Sequence, residues 1–75
     1  MSRTQNSFEY KEYHEELIEK LVTETPKTTN AITLGAKEIY FKKIHNFTVN
    51  RLLNNLYDKG RIKKFSVGRI ILWQK

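Results

Sequence analysis

The chain has 75 residues, enough for one small domain, and it has no cysteine, which excludes disulfide bonds and thiolate metal sites. No apolar run approaches the roughly 20 residues of a membrane-spanning helix, and the polar start MSRTQNS lacks the hydrophobic region of a signal peptide. We therefore expect a soluble protein of the cytoplasm, associated with a nucleoid or acting inside a host cell, without membrane contact.

The formal net charge of +6 is divided unevenly along the chain. Residues 1–24 carry three basic and six acidic residues, a balance of −3, whereas residues 25–75 carry eleven basic and two acidic residues, a balance of +9. Attraction to a polyanion depends on local potential, so this separation favours a nucleic-acid-binding surface in the later part of the chain. The simpler alternative is that the lysines in this part of the chain serve only to keep the protein soluble.

The first half of the chain predicts a polar lead over residues 1–6, followed by a domain over residues 7–75. The first helix is expected to begin at Ser7 and to end near Thr25, because the residue before a proline disfavours helical geometry. A brief extended segment is expected at residues 31–32. The second helix is expected over Leu34–Lys43 with Thr33 as its N-cap. Its predicted buried positions are Leu34, Ala36, Ile39 and Tyr40.

The second half of the chain predicts a third helix and a β-hairpin. A break at Ile44–Asn46 precedes a helix over Phe47–Lys59, and Gly60 follows where a helix needs a left-handed stop. The later residues are rich in β-branched and aromatic types around a turn at Val67-Gly68, which predicts a hairpin with two apolar faces. The core-facing stripe of the third helix consists of Val49, Leu52, Leu53, Leu56 and Tyr57.

The predicted order of helix, helix, short turn, helix and hairpin is that of an α+β fold, the small winged helix with three helices and a C-terminal β-hairpin wing. Within residues 47–75, a Thr-Val-x-Arg-Leu-Leu-x-x-Leu pattern precedes a glycine, an apolar residue and a basic strand. Its members are Thr48, Val49, Arg51, Leu52, Leu53, Leu56, Gly60 and Ile62. This segment resembles the recognition helix and wing of MarR-like and ArsR-like regulators, in the winged helix-turn-helix superfamily. The resemblance implies a DNA-binding transcription regulator.

If the third helix enters the major groove, the polar residues opposite its apolar stripe are the candidates for reading base edges. Asparagine can bond adenine, and arginine guanine, through two hydrogen bonds at once. The candidate base-reading residues are Thr48, Asn50, Arg51, Asn54 and Asn55. Candidates for phosphate contact lie in the turn before this helix and in the wing. They are Lys42, Lys43, His45, Asn46, Arg61, Lys63, Lys64, Ser66 and Arg69.

Double-stranded DNA is therefore the expected partner. The two apolar faces of the hairpin also predict a homodimer, because a simple wing buries only one face. The sequence contains no nucleophile motif, Gly-rich phosphate loop or metal-ligand spacing. We thus expect no enzyme, no metal or other cofactor, and no small-molecule ligand. The alternative is an RNA- or protein-binding module of ribosomal or polymerase-associated type, because the ending of helix, glycine and hairpin is similar to that of a small-subunit ribosomal protein family.

Overall fold

The computed structural model describes residues 12–75, with side chains from residue 14 onward. Its elements in chain order are α1 (Glu12–Leu21), β1 (Lys27–Thr28), α2 (Thr29–Ile39), α3 (Asn46–Asp58), β2 (Lys63–Val67) and β3 (Ile70–Gln74). The strands form one antiparallel sheet in the order β1-β3-β2. The expected α+β fold is confirmed, and this part of the chain has the layout of a small winged helix. The predicted polar lead and the helix start at Ser7 lie outside the described residues.

Helix α1 ends at Leu21 rather than near Thr25. Beyond it, the hydroxyl oxygen of Thr23 accepts a hydrogen bond from the backbone N–H of Thr25 at 3.2 Å. The backbone oxygen of Thr23 accepts another from the N–H of Lys75, at 2.8 Å. These two bonds hold the chain in a turn beside the end of β3, so the helix stops before the proline is reached.

Helix α2 begins at Thr29, and the predicted range of the second helix is wrong at both ends. Its N-cap is Thr28, whose side-chain oxygen accepts a hydrogen bond from the backbone N–H of Ala31 at 3.1 Å. Thr33, the predicted cap, is buried inside the helix and donates its hydroxyl to the backbone oxygen of Thr29 at 2.9 Å. Residues 31–32 are helical, and the short strand is instead β1, which pairs with β3.

Helix α3 lies within one residue of its predicted range at each end. It closes at Gly60, whose φ of +76° places it in the left-handed region. The N–H of Gly60 donates to the oxygen of Tyr57 at 2.9 Å, and the N–H of Arg61 donates to the oxygen of Leu56 at 3.0 Å. This pair of bonds is a Schellman motif, and the predicted glycine stop is confirmed.

The hairpin turns at Gly68-Arg69, one residue later than predicted, because Val67 pairs with Ile70. Gly68 has a φ of +62° and Arg69 does not have a positive φ, as in a type II′ turn. The turn moves by one residue on both strands, so the residues that share each face of the hairpin are the same as predicted. We call the side with Phe65, Val67, Ile70 and Leu72 the outer face, because Ile71 and Trp73 on the other side pack against the helices.

The hydrophobic core lies between the helices and the inner face of the sheet. It consists of Ile18, Val22, Ile32, Ala36, Ile44, Val49, Leu52, Leu53, Leu56, Ile62 and Trp73. The predicted stripe of α3 is confirmed except at Tyr57, which is 45% exposed. Leu34 and Ile39, predicted to be buried, are 54% and 62% exposed, because the face of α2 that packs on the core carries Ile32, Thr33 and Ala36. Tyr40 is half-buried.

Candidate nucleic-acid interface

Helix α3 carries a continuous stripe on its surface away from the core. The stripe consists of Phe47, Asn50, Arg51 and Asn54, which recur at spacings of three and four residues and therefore share one face of the helix. The first three are exposed and Asn54 is half-buried. The structure thus brings three of the predicted base-reading residues together and adds Phe47 to them. We call this set the outer stripe.

The amide of Asn50 is oriented by hydrogen bonds that begin in the core. The indole Nε1–H of the buried Trp73 donates to Oγ1 of Thr29 at 2.8 Å. That hydroxyl donates in turn to Oδ1 of Asn50 at 3.3 Å. The bonds connect β3, α2 and α3 at one point. They use the carbonyl oxygen of the amide, so Nδ2 is the atom of Asn50 that offers hydrogen-bond donors to a partner.

Asn54 connects the outer stripe to the wing. Its Nδ2 donates to the backbone oxygen of Asn50 at 2.9 Å, and its Oδ1 accepts from Nζ of Lys64 at 3.1 Å. The same ammonium lies 5.4 Å from the ring centre of Tyr57 and 5.5 Å from that of Trp73. Lys64 is therefore held between strand β2 and helix α3, where its charge adds to the potential of the outer stripe.

The other two predicted base-reading residues lie elsewhere on α3. Thr48 is buried, with 7% of its surface exposed. Asn55 is half-buried and donates from Nδ2 to Oε2 of Glu15 on α1 at 3.3 Å. Their side chains face the interior and α1 respectively, so the outer stripe does not include them.

The turn between α2 and α3 carries exposed basic and polar side chains. Lys42, Lys43 and His45 are all exposed there. His45 is the N-cap of α3 but makes no side-chain capping bond, and the first turn of the helix has no acidic residue. Asn46 donates from Nδ2 to Oδ1 of Asn30 at 3.3 Å, which joins the starts of α2 and α3. The turn therefore places two lysines beside the positive end of the α3 dipole.

The hairpin distributes its predicted phosphate-contacting residues over both faces and the turn. Lys63 is exposed on the outer face, whereas Ser66 and Lys64 lie on the inner face. Arg69 is exposed at the tip, in the turn after Gly68. The α3-facing side of the wing thus places Lys64 beside the outer stripe, and the tip carries Arg69.

Arg61, the remaining predicted phosphate contact, pairs with the acidic side of α1. Its Nε donates to Oε1 of Glu19 at 2.8 Å, and Nζ of Lys59 lies 2.6 Å from Oε1 of Glu15. The hydrogen bond to Glu19 and the charge of its carboxylate raise the pKa of Arg61 above its ordinary value. These two ion pairs offset both cations with carboxylates of α1, whereas the turn and the hairpin carry exposed cations.

An open groove of about 540 Å³ adjoins the outer stripe. Its lining residues are Thr28, Thr29, Asn30, Asn46, Phe47, Asn50, Ile70 and Ile71. None of them is charged. Phe47 is 71% exposed at the start of α3 and is the functional candidate that the sequence analysis left unassigned. Its spacing of three and four residues from Asn50 and Arg51 was the signal that could have identified it.

Comparison of the chain with protein-family models, with curated proteins and with solved structures finds no match. None of the helices within residues 12–75 has both the length and the apolar character needed to cross a bilayer.

Proposed function

We propose that this chain is a double-stranded DNA-binding protein, and a transcription regulator, that acts in the cytoplasm and is not an enzyme. The observation that carries the proposal is the outer stripe of α3, a face of amides, one guanidinium and one aromatic ring, flanked by the lysines of the turn and the cations of the wing. Phosphates are held by fixed positive charge, and base edges by hydrogen-bonding side chains on a helix that fits the major groove.

The proposed roles follow from the exposure and bonding of each residue. Arg51 and Asn50 read base edges, because both are exposed on the outer stripe. Lys42, Lys43 and Arg69 hold phosphates. Asn54 positions Lys64 against α3 and supports the interface through that bond.

The test is fluorescence anisotropy of labelled duplex DNA, and of an RNA duplex of equal length, over a salt series. Each lysine that contacts a phosphate contributes about 0.9 to the slope of log K against log salt. We expect steep salt dependence with DNA, and a slope smaller by about 2 for the double variant Lys42→Gln, Lys43→Gln. Lys59→Gln is the matched control, because that lysine pairs with Glu15, and its slope should equal that of the unaltered protein.

A base-reading role for Arg51 has its own readout. Arg51→Ala should lose about 1–3 kcal/mol of discrimination between a sequence selected from a random duplex pool and an unselected one. Preference for the RNA duplex, or no binding to either duplex, would contradict the proposal and favour an RNA- or protein-binding module.

We also propose a second copy of the chain as a partner, docked on the outer face of the hairpin. Phe65, Val67 and Ile70 are 41%, 60% and 53% exposed there. Among the described residues, strand β2 lies at the edge of the sheet, next to this face, and an edge strand offers backbone groups for pairing. An antiparallel pairing of two β2 strands about a two-fold axis is self-complementary, which favours a homodimer over an unrelated partner.

A further inference from the structure

The groove beside the outer stripe has a chemistry that differs from the cationic surface around it. Its lining residues are uncharged, and three of them, Phe47, Ile70 and Ile71, are apolar. Asn46 and Asn50 supply amides, and Thr28 and Thr29 supply hydroxyls. A phosphate would find no cation inside the groove, whereas the flat edge of a base with an apolar group would find both hydrogen-bonding and apolar neighbours.

Phe47 lies where such an edge would meet α3. It is exposed by 71%, although an aromatic ring usually gains from burial, and it precedes Asn50 by three residues on the same face. A ring in this position contributes little to the core and is accessible to a partner. Ile71, half-buried on the inner face of the wing, borders the same groove.

Only one of the four DNA bases presents an apolar group in the major groove, namely thymine with its C5-methyl group. Its partner adenine presents N7, which can accept from Nδ2 of Asn50, and the N6 amino group, which can donate to the second lone pair of Oδ1, the first being used by Thr29. The donors of Asn50 are oriented by the bond from Thr29, so one helix face offers an apolar ring and a fixed amide side by side.

We infer that this groove is a thymine-methyl site that selects A·T base pairs, with Phe47 in contact with the methyl group and Asn50 in contact with the adenine of the same or the adjacent pair. The inference rests on the proposed function, since it names the base pair that the DNA-binding face prefers. The wing then acts as one wall of the base-reading site, through Ile71 on its inner face, in addition to its contact with the backbone.

The test compares duplexes that differ only in the methyl group. An alternating A·T duplex is measured against the same duplex with deoxyuridine in place of thymidine, and a G·C duplex against its 5-methylcytosine form, which restores a methyl group at the same position. The unaltered protein should bind each methylated duplex more tightly, by about fourfold for each methyl group that leaves water. Phe47→Ala should bind the two members of each pair equally.

Leu34→Ala is the matched control, because this apolar side chain of α2 is also exposed, by 54%, but belongs neither to the groove nor to the outer face of the hairpin. It should keep the preference for the methylated duplexes. The melting temperature of each variant confirms that the fold is retained.

Four results would overturn the inference. If the unaltered protein binds all duplexes with steep salt dependence but ignores the methyl group, DNA binding stands and the thymine site is wrong. The same conclusion holds if Phe47→Ala keeps the full preference. If the protein binds no duplex, the proposed function and the inference both fail. If Phe47→Ala halves the molar mass and leaves duplex binding unchanged, the groove holds a second copy of the chain instead of a base.

Discussion

The bond from the Trp73 indole to Thr29 is the residue-scale contact on which the geometry of the site depends most directly. Trp73 is fully buried, and Thr29 relays its hydrogen bond to the amide of Asn50. A single buried ring thereby fixes the strand, the start of α2 and a base-reading side chain relative to one another. A change at this ring should alter both stability and the orientation of the interface.

We predict that Trp73→Phe lowers the free energy of unfolding by about 1–3 kcal/mol, from the lost hydrogen bond and the volume removed. Urea denaturation measures the loss. Thr29→Val removes the other partner, and the double variant completes a thermodynamic cycle. A coupling energy of zero between the two changes would contradict the role assigned to this bond.

At this scale the sequence predicted the exposed part of the site and missed the buried contributions. Asn50 and Arg51 could be placed outward because the apolar positions of α3 repeat without a gap. The inward placement of Thr48 could not be predicted, since it depends on how closely α3 packs on its neighbours. Asn55 and Arg61 bond to Glu15 and Glu19, and nothing local in the sequence indicates a pairing between residues so far apart.

The elements differ in how far local signals determine them. The bounds of helix α3 were predicted almost to the residue, because its apolar stripe and the glycine after it indicate the same end of the helix. Helix α2 was misplaced because Thr28 and Thr33 are equally good caps by sequence. The choice between them is made by β1, whose residues Lys27 and Thr28 pair with Trp73 and Leu72 at the other end of the chain. Such a pairing has no signature within the segment itself.

Replacing each of two glycines by alanine should change the stability of the protein in opposite directions, which tests the descriptions of α2 and α3. Gly35 lies inside α2, and a Cβ there would be 3.6 Å from Cδ2 of Leu21, an ordinary contact. Gly35→Ala should therefore stabilise the protein by about 0.5–1 kcal/mol through helix propensity. Gly60→Ala should destabilise it by about 1–2 kcal/mol, because alanine at a φ of +76° is strained.

Thermal or urea unfolding of both variants, side by side, measures these two changes. Equal effects at the two positions would contradict either the helical placement of Gly35 or the left-handed stop at Gly60.

For the proposed binding of DNA by the whole molecule, the arrangement of charge matters more than the net charge. Glu15 and Glu19 of α1 pair with Lys59 and Arg61, and the turn and the hairpin carry further exposed cations. The sequence predicted that charge would be separated along the chain. Which cations are offset by ion pairs depends on the packing of α1 against α3, and only the folded arrangement gives this.

The homodimer is also a prediction about the whole molecule. Val67→Lys places a charge on the outer hairpin face, at a residue that is 60% exposed, so the fold should persist and the dimer should dissociate. Sedimentation equilibrium measures the molar mass. Leu34→Lys, at an exposed residue of α2, is the matched control and should leave the mass unchanged. A monomeric mass for the unaltered protein would contradict the proposed dimer.

The central claim is that the outer stripe of α3, the preceding turn and the wing together form a surface for duplex DNA. Titration of the ¹⁵N-labelled protein with a duplex, followed by heteronuclear NMR, tests it most directly. The account predicts that the largest amide shift changes fall within residues 42–54 and 63–71, while α1 changes little. Shift changes concentrated on α1, or none at any duplex concentration, would contradict it.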